Sequence, residues 1–278
     1  MDSVAEMVKL RRILLVTFPG QGQINPSLQF AKRLVRMGVE VTFATAFSAV
    51  NRMSKSTTYP QGLKVVGFSD GHDDGLKDEM DYEAYMADLR RRGSEAVAHL
   101  VTSEAQKSLP FDHPAAMLDI YYYYCNGYGD ALKKISGSDS LCAVEMPGLP
   151  PLRGPDLPSF VQATNWYKFA LPLFKEHLEI LESENNPKVL LNTFEALEPD
   201  ALRDVEKLNL VGIGPLIPSA FLDGRDPSDT SFEGDLFQVS SDYIQWLNSK
   251  PQGSVIYVAL EATRCYQSNK WRKLPLGC

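Results

Sequence analysis

No apolar run in the 278 residues approaches the ~20 positions that a membrane span requires. The stretch leading to Lys9, Leu10, Arg11 and Arg12 also lacks an apolar core of signal-peptide length. A cytoplasmic protein without a membrane partner is the expectation. Cysteine is scarce: Cys125, Cys142, Cys265 and Cys278 stand far apart and form no C-x-x-C pair, so neither a zinc site nor a disulfide framework is indicated. Basic charge is short as well. Lysine and arginine number 28 against 35 acidic residues, for a net charge of −7, and the basic residues are spread along the chain. Nucleic acid, which draws concentrated positive charge, is not an expected partner. The acidic loop Ser69-Asp70-Gly71-His72-Asp73-Asp74-Gly75 lacks EF-hand spacing and a closing bidentate Glu, so it reads as a solvated loop and not a metal site. What the chain does have is hydrophobic residues, 44% of the total, enough for a sizeable buried core.

The run Ile13-Leu14-Leu15-Val16-Thr17-Phe18, stopped by Pro19-Gly20, has the continuity of a strand buried on both faces. It predicts a central parallel sheet. Asn25 then suits a helix N-cap with Pro26 at the first position, and Leu28, Ala31, Leu34 and Val35 recur at helical spacing until Gly38. Residues 39–44 and 63–68 read as further strands with a short polar helix between them. This alternation predicts an α/β, doubly wound, Rossmann-like sheet with ligands near the carboxyl ends of its strands. Residues 82–101 and 166–181 read as helices, 146–160 as a proline-rich ordered connection, and 188–192 and 210–215 as strands. A linker composition over 216–240, a helix near 242–248 and a last strand at 254–258 complete the order.

The loop Pro19-Gly20-Gln21-Gly22-Gln23-Ile24-Asn25-Pro26 is the most informative stretch. Glycines between a buried strand and a helix N-terminus bring backbone N–H groups and the helix dipole toward a ligand. As a dinucleotide fingerprint it fails, because Asn25 replaces the third glycine and Ala44-Thr45 stands where a ribose-binding acid belongs. A nicotinamide oxidoreductase is therefore the weaker reading. Together with Ser27-Leu28-Gln29-Phe30-Ala31-Lys32-Arg33-Leu34, the loop resembles the P-x-Q-G-H-I-N-P-x-L-x-x-A-K-R-L turn of plant family 1 UDP-glycosyltransferases. Further similar segments follow in order, among them Phe68-Ser69-Asp70-Gly71, Asp156-Leu157-Pro158-Ser159-Phe160, Leu191-Asn192-Thr193-Phe194 and Gly212-Ile213-Gly214-Pro215-Leu216. Asp119-Ile120 before four tyrosines at 121–124, and Leu222-Asp223-Gly224, resemble the branch of crocetin, auxin-type acid and anthocyanin glucosyltransferases.

The resemblance implies the N-terminal half of a two-domain GT-B enzyme: an acceptor domain at 1–215, an interdomain linker and helix at 216–252, and the first strand of a donor domain plus a non-family tail at 253–278. It implies transfer of glucose from UDP-glucose, a co-substrate and not a cofactor, to a flavonoid, apocarotenoid or carboxylic acid hormone. A small-molecule acceptor is the expected partner of a monomer, and UDP-sugar only if a donor domain is supplied. Pro19, Gly20, Gln21 and Gly22 take the substrate-binding positions of the motif, and Gln23 that of the general-base histidine.

Three departures bear on activity. The neutral amide of Gln23 cannot take a proton at useful pH. Between Phe111 and Asp112 the family's strand, helix and strand, on the order of ~30 residues, are missing. After residue 258 the family pattern ends, and the tail with Lys270, Arg272 and Lys273 reads as a changed reading frame or retained intron. A membrane tether is disfavoured, and a terminal Cys278 lacks prenylation spacing. The chain alone is expected to be inactive, with a non-catalytic acceptor-binding fragment as the alternative. Because a carboxylic acid with a pKa near ~4 needs no base, Gln23 is expected to favour acid acceptors. His72, His99, His113 and His177 are read as surface or satisfied histidines, none of them on the glycine loop. Four consecutive tyrosines cannot share one helix face, so some belong to the core.

Overall fold

Among the described residues six strands form, and they divide into two parallel sheets of three. The computed structural model describes residues 11–53, 59–75, 81–101, 109–111, 114–136, 142–162, 165, 168–232, 236 and 242–256. Asp112, His113, Cys265, Cys278 and the basic tail lie outside the described residues. The first sheet has the order β1 (Arg12–Val16), β2 (Glu40–Ala46), β3 (Leu63–Phe68), with Leu15 registered against Phe43 and Phe43 against Val65. The second has the order β4 (Leu109–Phe111), β5 (Val189–Leu191), β6 (Leu210–Gly212). The helices are α1 (Gln21–Arg36), α2 (Phe47–Val50), α3 (Tyr82–Leu100), α4 (Ala115–Tyr123), α5 (Gly129–Ile135), α6 (Ala170–Glu182), α7 (Ala201–Asp204), α8 (Ser219–Leu222) and α9 (Asp242–Asn248).

The expected α/β class and parallel pairing are present, but the single continuous sheet is not. Among the described residues β1 pairs only with β2, and β4 only with β5, so each keeps one free edge. Each sheet has its own core. Leu15, Val41 and Phe43 pack on Ile24, Leu28 and Ala31 of α1, whereas Val189 and Leu191 pack on Leu118, Leu178, Leu181 and Leu208. The proline-rich connection joins a third cluster through Met146, Leu152 and Leu157 against Ile120 and Tyr121.

Helix α1 begins earlier than the loop composition suggests. Gly20 is its extended N-cap, and Pro26 lies inside the helix. The apolar stripe explains the difference: Ile24 is fully buried with Leu28 and Ala31, an i, i+4, i+7 set that demands helical backbone before Asn25. Amides of Gln23 and Ile24 donate to the Gly20 carbonyl, and the Gln21 side chain donates to Asn25 Oδ1 at 2.8 Å. Pro26 carries no N–H, so it only forgoes a bond to Gly22 near the start of the helix.

Residues 216–232, which have the composition of a linker, fold onto the polar face of α1. Lys32 is 5% exposed, and its Nζ donates to Asp229 Oδ1 at 2.8 Å and to the Ser231 carbonyl at 3.3 Å. Arg33 donates to the carbonyls of Ile213 and Pro215, just past β6. Arg36 Nη2 reaches Asp229 Oδ2 at 3.0 Å, and the same oxygen accepts from the Ser219 amide at 2.9 Å. Helix α1 therefore packs its apolar stripe on the first sheet and grips the segment that leaves the second. Composition missed this because the anchoring groups are polar.

Residues 237–278 form a second compact unit. Its described part holds α9, with Lys250 Nζ 5.0 Å from the Trp246 ring centre, and irregular chain to Ile256. The strand expected at 254–258 is not formed at 254–256, and the remaining two residues lie outside the described chain.

Burial by itself would raise the Asp229 carboxyl, but hydrogen bonds from Lys32 and Ser219 and the lysine charge hold it below the usual carboxylate range. Asp229→Asn leaves Lys32 buried without a counter-charge and should cost about 3–5 kcal/mol in urea denaturation. The double change Lys32→Met, Asp229→Leu should cost less. Because the folded pKa is depressed, the gap between wild type and Asp229→Asn should close as pH falls below about 3.9.

Candidate functional site

A cavity of about 320 Å³ is lined by residues from both sheets and from the helices beside them. Val16, Thr17 and Phe18 line it at the carboxyl end of β1, and Gln23, Pro26, Ser27 and Phe30 line it from α1. Leu118 and Tyr121 of α4 and Phe174, His177, Leu178 and Leu181 of α6 form another wall. Val189 and Leu190 of β5 complete it with Asn192, Ile213 and Leu216. No Asp, Glu, Lys or Arg is among these residues. The volume is at the small end of small-molecule sites, and the mix of an apolar wall with a few polar groups is typical of them.

Most of the polar groups on the wall have a fixed role. Asn192 Oδ1 accepts from the Leu216 amide at 2.9 Å. Tyr121, 1% exposed, stacks on Phe174 with ring centres 4.3 Å apart, and burial raises its hydroxyl well above the ordinary value, so it stays protonated. His177 is half-buried. Burial lowers its pKa, Glu176 opposes that and Arg90 adds to it, so the imidazole is neutral at pH 7. Arg90 and Glu176 are paired with each other.

Gln23 lines the cavity. Pro19, Gly20, Gln21 and Gly22 are not among the lining residues: Gln21 is held by Asn25 and by the Leu236 amide at 2.7 Å, and Gly22 has open space about it. Gly20 acts on Gln23 directly, since a Cβ there would come 2.7 Å from Gln23 Oε1 and 3.1 Å from the Phe18 ring. His72 sits in the acidic loop with Nε2 3.7 Å from Asp88 and its ring centre 5.3 Å from the Tyr85 ring centre, and His99 lies in the last turn of α3. His177, expected from its sequence context to be a surface or satisfied histidine, lines the cavity. Its signal was available, because Phe174, His177, Leu178 and Leu181 follow i, i+3, i+4, i+7 and place the imidazole on the apolar stripe of α6.

The tyrosines divide as their helical positions require. Tyr121 joins the cavity wall, Tyr123 donates to Asp204, and Tyr124 lies beneath Lys133 Nζ at 5.6 Å. Asp119, just before them, is wholly buried and neither carboxyl oxygen has a hydrogen-bond partner among the described residues. Burial, with the nearby Asp204 and Glu198 charges, pushes its pKa up to about 8. Glu198 is itself engaged at the start of α4, accepting from the amides of Ala115 and Ala116 at 3.1 Å.

No protein-family model matches the chain. Curated relatives do. Phloretin 4'-O-glucosyltransferase of Malus domestica is 50% identical over 89% of this chain and 59% of its own length. Crocetin glucosyltransferase, chloroplastic, of Gardenia jasminoides is 47% identical over 91% of this chain and 60% of its own. The chain belongs to the plant UDP-glycosyltransferases. It spans about 60% of the length of these relatives. The 283 aligned positions of the Malus enzyme draw on 89% of 278 residues, roughly 247, so about 36 of its positions have no counterpart here. Os79 of O. sativa, solved with UDP, superposes with a TM-score of 0.64 at 24% identity over 87% of this chain and 59% of that one. That likeness gives the fold, the N-terminal half of a GT-B glycosyltransferase. Among the described residues no helix is long and apolar enough to cross a membrane.

Asp119 supplies a pH test of this packing. The unfolded chain ionises it above about 3.9, whereas the folded chain keeps the proton to about 8, so it lowers stability increasingly as pH rises between those values. Asp119→Asn should flatten the plot of unfolding free energy against pH over that window. At roughly 1.4 kcal/mol per unit the difference reaches on the order of 4 kcal/mol by pH 7, apart from a constant offset for the buried amide.

Proposed function

We propose that this chain supplies the acceptor-binding part of a UDP-glucose-dependent glucosyltransferase acting on a small plant metabolite. The cavity between α1, α4 and α6 receives the acceptor. The observation that carries the reading is a cavity whose described lining is uncharged and largely apolar and includes Gln23, the motif position of the family's base. Names of the relatives support it, since two of them are glucosyltransferases for phloretin and crocetin. UDP-glucose is the co-substrate and belongs to the part of the family's length that this chain does not match. We place the acceptor domain at 1–215 and the start of the donor domain near 253. The roughly 36 unmatched positions we place at 111–112, where a strand, helix and strand would offer neighbours to the free edges of β1 and β4. A cytoplasmic monomer completes the reading.

The cavity wall also revises the acceptor class. An ionised carboxylate buried without a cationic partner loses several kcal/mol of hydration. A neutral hydroxylated acceptor therefore suits this cavity better than the carboxylic acid that Gln23 alone suggests. For the 278-residue chain by itself, the reading is acceptor binding without transfer.

Fluorescence titration with 1-naphthol, a neutral aromatic alcohol, tests this. It should bind with a Kd below about 1 mM, equivalent to ~4 kcal/mol, and Ser27→Trp, which fills the cavity from α1, should abolish binding. UDP and UDP-glucose should show no binding at that concentration by calorimetry. Failure of naphthol to bind, or saturable UDP binding, would overturn the assignment.

A further inference from the structure

Gln23 occupies the family's base position with a group that accepts no proton near neutral pH. The cavity it lines contains another nitrogen that does. We propose that His177 of α6 is the proton acceptor for the acceptor's hydroxyl group, and so selects alcohols and phenols over carboxylates. The proposal rests on the acceptor-site reading above.

Elimination among the described wall groups supports it. The Tyr121 hydroxyl is held protonated by burial and serves only as a donor or a weak neutral acceptor. Asn192 is committed to the Leu216 amide, and amides and aliphatic hydroxyls such as Thr17 and Ser27 are not bases in this range. That leaves the imidazole, which no described residue hydrogen-bonds.

The electrostatics keep it usable. Glu176 on the same helix and Arg90 from α3 are the charged groups that act on it, with opposite signs, and they are paired with each other. From α4 the titratable group facing the cavity is Tyr121, while α1 contributes neutral Gln23 and Ser27 and β5 contributes Val189 and Leu190. Burial then decides the direction, and the ring is neutral and able to accept from an O–H at pH 7.

In transfer, the acceptor oxygen forms its bond to the anomeric carbon of UDP-glucose while that carbon's bond to the UDP oxygen breaks. UDP takes the bonding pair, and the hydroxyl proton passes to the imidazole, which returns it to solvent. A carboxylate brings no proton and would meet a neutral ring, with no charge to pair.

The test needs no turnover. Affinity of this chain for 1-naphthol and for its methyl ether is measured from about pH 4 to 8, the window around a histidine. A neutral ring accepts from naphthol and a protonated one cannot. Naphthol affinity should therefore be constant above the His177 pKa and fall toward about tenfold per unit below it. The ether has no proton to donate, and its affinity should not vary with pH.

His177→Gln should remove the naphthol slope. In the wild-type chain the midpoint of the His177 imidazole NMR titration should move lower when naphthol saturates the cavity and stay in place with the ether. This second readout holds even if the variant fails to fold. A flat naphthol profile, a slope retained in His177→Gln, or an unmoved midpoint would overturn the role of His177 while leaving the cavity as the acceptor site. If neither probe binds, the acceptor-site reading itself fails and this inference fails with it.

Discussion

Lys32 and Asp229 meet at 2.8 Å with both side chains nearly out of water, and the placement of the cavity depends on that contact. An ion pair with so little hydration persists only where other polar groups share the load, and here Ser219, Arg36 and the Ser231 carbonyl do so. The result is directional. Helix α1 must present Ile24, Leu28 and Ala31 to the first sheet while Lys32, Arg33 and Arg36 hold the chain that leaves the second. With the sheets unpaired at β1 and β4, α1 ties one to the other through the clamp, and the Arg90–Glu176 pair between α3 and α6 adds a second tie. The cavity takes its lining from both sheets and from α1.

That origin accounts for the chemistry of the wall. The charged groups of α1 are spent on the clamp, and the α1 residues that line the cavity are Gln23, Pro26, Ser27 and Phe30. On α6 the pairing of Glu176 with Arg90 likewise draws charge away from the cavity and leaves His177 beside Phe174 and Leu178. An apolar wall with a neutral imidazole favours ligands that lose little hydration on entry and can donate a hydrogen bond. The same desolvation raises Asp119 and Tyr121.

Much of the fold was legible in the residue pattern. The third strand runs over Leu63–Phe68 as the alternation of elements places it, and the helix expected at 82–101 forms as Tyr82–Leu100. Both are settled by local periodicity. The start of α1 was misjudged because Asn25-Pro26 resembles a cap and first position, whereas burial of Ile24 draws the helix back to Gln21. Residues 216–232 looked like a linker because their anchors, Ser219 and Asp229, are polar side chains whose partners stand on a distant helix.

The sequence by itself determined the class of the fold, the family and the motif position of Gln23, since each is carried by residues adjacent in the chain or repeating at a fixed period. Only the tertiary structure decided that the sheet is interrupted, that Lys32 needs Asp229, and that His177 shares a cavity with Gln23. These are relations between segments far apart in the chain. Periodicity says which face of α6 is buried, but which groups it meets there is set by how α1 is held.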